Sequence, residues 1–144
     1  MLFYAKILSQ RNISGDILKY EIKKLKLFEP LCYSPTKSHG NESMTRYTTF
    51  VGKKDLYPNK ADYLTNPIFC GYEDSLGKEQ IPCGTYAFVQ GFASQSDKLD
   101  AAESLWLECV WQEFNPLDEI IYLRELNHGN DVVFQLFRRI EATE

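Results

Sequence analysis

The order of predicted elements in the second half of the chain constrains its fold more than any other sequence feature. A strand pattern over residues 85–90 is followed by a helical pattern over residues 97–113 and by two more strand patterns, over residues 119–126 and 131–138. Asn-His-Gly-Asn at 127–130 separates the last two strands, and Asn and Gly tolerate the positive backbone angles of tight turns. This half therefore predicts a strand and a helix that precede a β-hairpin.

The first half of the chain predicts the same order of elements. A strand pattern over residues 3–8 precedes a helical pattern over residues 14–27, in which apolar residues recur at helical spacing, and Pro30 follows the helix. Strand patterns then resume over residues 45–51 and 68–72. Strand, helix, strand and strand thus occur twice along the chain.

This duplication predicts the fold class. We expect an α+β fold in which two pseudo-symmetric strand–helix–strand–strand repeats form a largely antiparallel sheet with two helices on one face. The 144 residues suffice for a real core, so residues 1–144 are expected to form a single domain. The sequence leaves open whether the irregular stretch over residues 31–44, most of it rich in Ser, Pro, Gly and Asn, forms a lid.

Charge and composition disfavour several classes of protein. The formal net charge is −4, and basic residues are dispersed except for Lys23, Lys24 and Lys26, which we assign to the exposed face of the predicted helix. Direct binding of nucleic acid is disfavoured because it needs a concentrated positive surface. We expect a cytoplasmic protein, since the N-terminus lacks the features of a signal peptide and no apolar run approaches the roughly 20 residues of a membrane span.

Cysteine and histidine patterns indicate neither a metal site nor a cofactor. The four cysteines are widely spaced without a Cys-x-x-Cys pair, so we expect reduced thiols. Neither His39 nor His128 lies in a metal-binding or catalytic-triad pattern. Gly84 follows Pro82 at the start of a strand and is expected to serve the backbone there, because no phosphate-binding motif surrounds it.

Three short motifs resemble one protein family. Residues 81–88, Ile-Pro-Cys-Gly-Thr-Tyr-Ala-Phe, resemble the signature Ile-Pro-Ala-Gly-x-Tyr-Ala-Val/Phe of the GyrI-like effector-binding domains, which also occur attached to multidrug-sensing MerR-type and AraC-type transcription regulators. The Leu-Trp pair and the later Trp within residues 105–111 are similar to the helix pattern of that family. Residues 69–74, Phe-Cys-Gly-Tyr-Glu-Asp, are similar to its strand before an acidic turn. The resemblance covers the chain from residue 68 to the C-terminus.

The resemblance implies a ligand-binding function. Members of such families bind bulky, often cationic and aromatic compounds in a cleft between the two repeats, on the sheet face away from the helices, with stacked rings and a buried Glu as counter-charge. By resemblance, the chain is a stand-alone effector-binding module for small hydrophobic molecules, including cationic aromatic ones, and acts in regulation or sequestration.

Two alternatives to this function stay open. One is a gyrase-inhibitor-like module that contacts a protein partner, such as a regulator or gyrase, directly. The other is a small hydrolase of electrophilic compounds that uses a paired Glu and Tyr, as some relatives of this fold are thought to do. In this chain that pair would be Glu125 with Tyr86 or Tyr122.

Glu125 is the first candidate for the counter-charge in the cleft. Along the strand over residues 119–126, side chains alternate between two faces, so Glu125 shares its face with Leu123, and Arg124 lies on the other. Glu119, on the same face as Glu125, is the reserve. The alternative for Glu125 is an exposed carboxylate, or one paired with a nearby arginine, on an edge strand. The aromatic residues expected to line the cleft, each with core packing as its alternative, are Tyr86, Phe88, Tyr47, Phe69, Tyr72 and Trp111.

Overall fold

The computed structural model describes residues 20–35, 45–94 and 97–142. Within these ranges the chain forms eight β-strands, one α-helix and a short 3-10 helix at Lys60–Asp62. The elements in chain order are β1 (Lys23–Leu27), β2 (Leu31–Ser34), β3 (Arg46–Val51), β4 (Pro67–Glu73), β5 (Glu79–Ile81), β6 (Gly84–Phe92), α1 (Lys98–Trp111), β7 (Pro116–His128) and β8 (Asp131–Ile140). The described part of the chain is therefore mainly strand.

All eight strands belong to one sheet, in which neighbouring strands are antiparallel. The strand order is β1-β6-β8-β7-β3-β4-β2-β5, so β1 and β5 form its two edges. Only residues 28–30 separate β1 from β2, however, and only residues 82–83 separate β5 from β6. Because such short connections cannot span a flat sheet, the two edges lie close together and the sheet curls into a half-barrel.

The outer face of the curled sheet packs against α1. Alternate residues of the central strands point to this face, and Val89, Leu123 and Leu136 are all buried there. From α1, the buried Leu105 and Trp106 complete the same cluster. The helix is thereby held on the outer side of the half-barrel, in contact with β6 and β8.

The ends of α1 follow from local sequence. The Asp97 carboxylate caps the helix by accepting a hydrogen bond from the Leu99 amide at 2.8 Å, and the Tyr20 hydroxyl bonds both backbone groups of Asp97. At the other end, the chain leaves the helix at Glu113, whose φ is 56°. Among the described residues, no helix has the length and apolar character needed to traverse a lipid bilayer.

The inner face of the sheet is lined by a second, largely aromatic cluster, here called the inner cluster. With its partly buried members it draws on all eight strands. No residue of α1 belongs to it, and its described members pack against one another across the curled sheet. Its buried members are Tyr33, Tyr47, Ile81, Tyr86, Phe88, Tyr122 and Phe137.

The predicted fold class is wrong. The sequence predicts two helices on one face of the sheet, whereas the described residues contain one α-helix on the outer face of a curled antiparallel sheet. Residues 23–27 of the predicted first helix form β1, in which Leu25 and Leu27 pack on the inner cluster. The Lys-Leu alternation fits a strand, and pairing with β6 stabilises that choice. The rest of that helix up to residue 19, and the strand over residues 3–8, lie outside the described residues.

The other predicted elements that fall on described residues are confirmed. β3, β4, β6, α1, β7 and β8 lie where the patterns place them, with shifts of a few residues at their ends. The last hairpin turns at Gly129, whose φ of 64° is readily adopted by glycine. The sequence misses β2 and β5, which are only four and three residues long. The question of a lid falls mostly on residues 36–44, which lie outside the described residues.

Candidate functional site

The two predicted acidic candidates lie on β7. Glu125 alternates with Leu123 on the face that packs against α1, and its Oε2 accepts a hydrogen bond from Lys98 Nζ of that helix at 3.0 Å. The Glu125 side chain is 22% exposed, so this ion pair is half-buried. Glu119 is exposed, and its backbone carbonyl accepts a hydrogen bond from the Gly52 amide. Glu125 therefore has a cationic partner within the protein, the ammonium group of Lys98, where the alternative from the sequence was an exposed carboxylate or one paired with an arginine.

The predicted aromatic residues are divided between the two faces of the sheet. Tyr72 alternates along β4 with Gly71 and Glu73, which face inward, so it lies on the outer face. Trp111 is the last residue of α1, on the outer side as well. The structure thus does not bring the whole predicted set together in one cleft. Those that belong to the inner cluster are Tyr47, Phe69, Tyr86 and Phe88.

Most of the inner cluster packs as protein core. Tyr86 is fully buried, and its hydroxyl donates a hydrogen bond to the Pro82 carbonyl at 2.6 Å. Its ring meets Phe137 edge to face, and Phe88 tilts against Phe137 as well. Burial raises the pKa of Tyr86 above its usual range and that of Tyr122 to about 12, so both phenols stay protonated at neutral pH. These rings fill the interior where the sequence predicts a cleft.

An open pocket remains at the rim of the half-barrel, where β2 approaches β3 and β4. Its volume is about 500 Å³. One side is apolar, formed by Pro30 and Leu31, and the other carries the carboxylates of Glu73 and Asp74. The full lining, here called the rim pocket, is Pro30, Leu31, Cys32, Tyr47, Glu73, Asp74 and Ser75.

Glu73 is held in the rim pocket by two donors on one of its oxygens. The Tyr47 hydroxyl donates a hydrogen bond to Glu73 Oε1 at 2.9 Å, and Arg124 Nη2 donates to the same oxygen at 3.0 Å. Arg124 Nε also donates to the Tyr47 hydroxyl at 2.9 Å, which closes a three-membered network. No described residue donates a hydrogen bond to the other oxygen, Oε2, and the Glu73 side chain is 49% exposed.

The same network continues across the inner face of the sheet. Arg124 Nη1 donates to Gln135 Oε1 at 2.9 Å, and Gln135 Nε2 donates to Gln90 Oε1 at 3.1 Å. Burial opposes the charge of Arg124, but Tyr47 and Glu73 together leave its pKa above the ordinary value. Burial raises the pKa of Tyr47 above its usual range, so its phenol stays protonated and serves as a hydrogen-bond donor. The guanidinium thus fixes the Tyr47–Glu73 pair to β7 and β8.

Sequence reasoning missed the acid that lines this pocket. Glu73 lies within the motif over residues 69–74, where it was part of an acidic turn and not a site candidate. The available signal was alternation along β4, which gives Glu73 the same face as Phe69. Alternation shows that the two residues share a face of the sheet. It does not show that this face lies on the inside of the curled sheet, which follows only from the strand order.

No metal centre adjoins the rim pocket among the described residues, and a further open pocket lies beside it. Within the described ranges, no group of three or more His, Cys, Asp or Glu side chains is placed to hold a metal ion. A second open pocket, of about 410 Å³, shares Asp74 with the rim pocket and includes the ring of Phe69. Asp74 Oδ2 accepts a hydrogen bond from Ser34, and its Oδ1 from the Leu76 amide, so Asp74 is bonded at both oxygens.

No protein-family model matches the chain, and no curated protein or solved structure is significantly similar to it. The function is therefore argued from the site itself.

Proposed function

We propose that this chain is an effector-binding module that takes up small apolar molecules carrying a positive charge, and that the rim pocket is its binding site. The observation that carries the proposal is the Glu73 carboxylate, which shares the wall of a pocket of about 500 Å³ with Tyr47 and with the apolar Pro30 and Leu31. Pockets of this size suit small organic ligands, and mixed apolar and charged walls give both affinity and orientation.

The charges around the rim pocket favour a cation. Glu73 and Asp74 contribute two carboxylates to its lining, and Glu73 is bonded to the guanidinium of Arg124. The charges of the lining residues and of Arg124 therefore sum to −1. A cationic group that reaches Glu73 gains a charge-assisted hydrogen bond worth about 1.5–3 kcal/mol, while the apolar wall buries the body of the ligand.

Two further observations support this proposal. The motif over residues 81–88 resembles GyrI-like effector-binding domains, which implies binding of cationic aromatic compounds. All four cysteines are free, which fits action in a reducing compartment such as the cytoplasm. We propose regulation or sequestration of such compounds as the role.

Glu73→Gln is expected to weaken binding of proflavine, a small cationic aromatic dye, about tenfold. Gln keeps an acceptor for the Tyr47 hydroxyl but removes the charge, and about tenfold corresponds to the loss of one charge-assisted interaction. Fluorescence anisotropy titration of the full chain measures the effect, and thermal melting checks that the variant stays folded.

Glu125→Gln is the matched control, since it removes a carboxylate from the other face of the sheet. We expect it to leave proflavine affinity unchanged, and we expect the anionic dye fluorescein not to bind. Weaker binding in the Glu125 variant with unchanged binding in the Glu73 variant would reject the rim pocket as the site.

The contact between Tyr47 and Glu73 also favours a second candidate function, hydrolysis of small electrophiles. The sequence pairs Glu125 with Tyr86 or Tyr122, but those tyrosines face inward while Glu125 faces α1. A Glu–Tyr pair instead meets at the rim pocket, at 2.9 Å. There Glu73 would accept a proton from an attacking water, and the Tyr47 hydroxyl would turn its one hydrogen bond from Glu73 Oε1 to the developing oxyanion.

For this second function, Tyr47→Phe and Glu73→Gln are each expected to lower protein-catalysed hydrolysis of p-nitrophenyl acetate about 100-fold, the usual contribution of general acid–base catalysis. Release of p-nitrophenol is followed by absorbance, with Tyr72→Phe, on the outer face, as the control. A wild-type rate equal to that of buffer alone would eliminate the hydrolase.

A further inference from the structure

We infer that the rim pocket selects cations that carry N–H groups, such as protonated amines and amidines, over quaternary ammonium ions. The inference rests on the proposed function and specifies the ligand class of the same site. Cations can be recognised by a carboxylate oxygen or by the face of an aromatic ring. The inference follows because the pocket offers a ligand the first of these groups and not the second.

The ring of Tyr47, the aromatic residue of the rim pocket, is already engaged within the protein. It stacks on Tyr33 with ring centroids 4.8 Å apart and an interplanar angle of 5°. The Arg124 guanidinium lies over the same ring, 5.7 Å from its centroid, and occupies the position that a ligand cation would take. Tyr47 lines the pocket but is only 1% exposed, so its ring offers no open face to a ligand.

The other rings of the inner cluster do not form an aromatic cage at the rim pocket either, since neither Tyr33 nor Phe69 lines it, and Phe69 belongs to the second pocket. Tyr86 and Phe88 pack against Phe137, and Tyr122 meets Tyr86 edge to face. All four are buried, and none of them lines the rim pocket. Quaternary ammonium ions, which lack N–H groups, are recognised mainly by such open ring faces, so the pocket lacks their usual recognition element.

The available group is the second carboxylate oxygen of Glu73. Tyr47 and Arg124 both bond Oε1, which orients the carboxylate and leaves Oε2 without a donor from any described residue. Asp74 adds negative charge, but both of its oxygens accept hydrogen bonds from the protein. A ligand N–H satisfies Oε2 in a short charge-assisted hydrogen bond, whereas methyl groups keep a quaternary nitrogen at a distance and leave the oxygen unpaired.

Benzylamine and benzyltrimethylammonium test this inference, because they share one ring and one positive charge. The ability of each to displace proflavine from the 144-residue chain is measured in a competition titration, and isothermal calorimetry measures its binding directly. We expect benzylamine to bind about tenfold more tightly, as a hydrogen bond to a charged group predicts. Glu73→Gln should remove this preference, while Asp74→Asn should weaken both probes to the same extent and keep the preference.

The outcomes separate the inference from the proposed function. Equal affinities, or tighter binding of benzyltrimethylammonium, would overturn the selection for N–H groups while leaving the rim pocket as a cation site. Binding of neither probe, together with no binding of proflavine, would overturn both. A preference for benzylamine that persists in Glu73→Gln would overturn the assignment of Glu73 as its acceptor.

Discussion

Arg138→Leu is expected to lower the free energy of unfolding by about 3–5 kcal/mol, the largest effect expected of any change considered for this chain. Arg138 is 1% exposed, and its guanidinium donates hydrogen bonds to the carbonyls of Gly52, Lys53 and Asp118 at 3.0–3.1 Å. It also lies 5.0 Å from the ring centroid of Trp106. The side chain thus ties the segment after β3 and the irregular part of β7 to the helix.

The free energy of unfolding falls because the substitution leaves backbone carbonyl acceptors without a hydrogen-bond donor. Leucine leaves the buried carbonyls of Gly52 and Asp118 without the guanidinium, although Trp106 Nε1 still donates to Lys53 at 2.7 Å. Burial lowers the pKa of Arg138, since the cation is removed from water and has no carboxylate within ion-pair distance among the described residues.

Urea unfolding and thermal melting measure the effect, and a loss of this size corresponds to a fall in Tm of roughly 10–17 °C for a chain of this length. Arg138→Lys, whose ammonium group can replace some of the donors, should lower the free energy of unfolding by less. This variant keeps the prediction testable if the leucine variant does not fold. Arg46→Met, at an exposed arginine of β3, should change the stability by less than about 0.5 kcal/mol. A leucine variant as stable as the wild type would show that the guanidinium is dispensable.

Gly71→Ala is expected to lower the free energy of unfolding by about 2–3 kcal/mol and to weaken the binding of proflavine at the rim pocket. A Cβ atom at Gly71 would lie 2.6 Å from the Ser34 carbonyl oxygen and 2.9 Å from Cδ2 of Tyr33. Both belong to β2, so this strand has to move away from β4. Because Tyr33 stacks on Tyr47, the displacement also disturbs the wall of the pocket.

Cys70→Ala is the control for this second change. Cys70 is the neighbouring residue of β4, exposed on the outer face, and its truncation should alter stability by less than about 0.5 kcal/mol. Chemical unfolding measures stability, and proflavine titration of the folded variants measures binding. Wild-type stability and binding in Gly71→Ala would show that β2 does not pack as closely on β4 as the structure has it.

The elements that the sequence predicts correctly are those whose stability depends on near neighbours. β7 and β8 form a hairpin around Gly129, and α1 begins at the cap Asp97, so their signals lie within a few residues. The pattern predicts a helix over β1 because Ile22 and Leu25 are three residues apart, a helical spacing, whereas the structure places them on opposite faces of the sheet. Its partner strand, β6, lies about 60 residues away, where Lys23 pairs with Phe88.

The candidate site was predicted in part. Alternation on β7 correctly separates Glu125 and Leu123 from Arg124, and Tyr47 and Phe69 do face inward. The sequence predicts Glu125 as the acid of the site, whereas the acid that we propose from the structure is Glu73. Periodicity states which residues share a face, but Lys98 covers the face of Glu125, while Glu73 lies on the face that meets the rim pocket.

The sequence by itself determined the local pieces of this protein: one helix, five of its strands and, along β7, which residues share a face of the sheet. Only the tertiary structure decided that β1 continues into β2, and β5 into β6, so that the sheet curls and one face becomes an interior. The physical reason is that β2 and β5 are too short to be stable alone and exist through pairs such as Leu31 with Ile81, fifty residues apart (81 − 31 = 50). The pairing of β2 with β4, in which Tyr33 lies opposite Glu73, likewise brings Leu31 into the lining of the rim pocket together with Glu73.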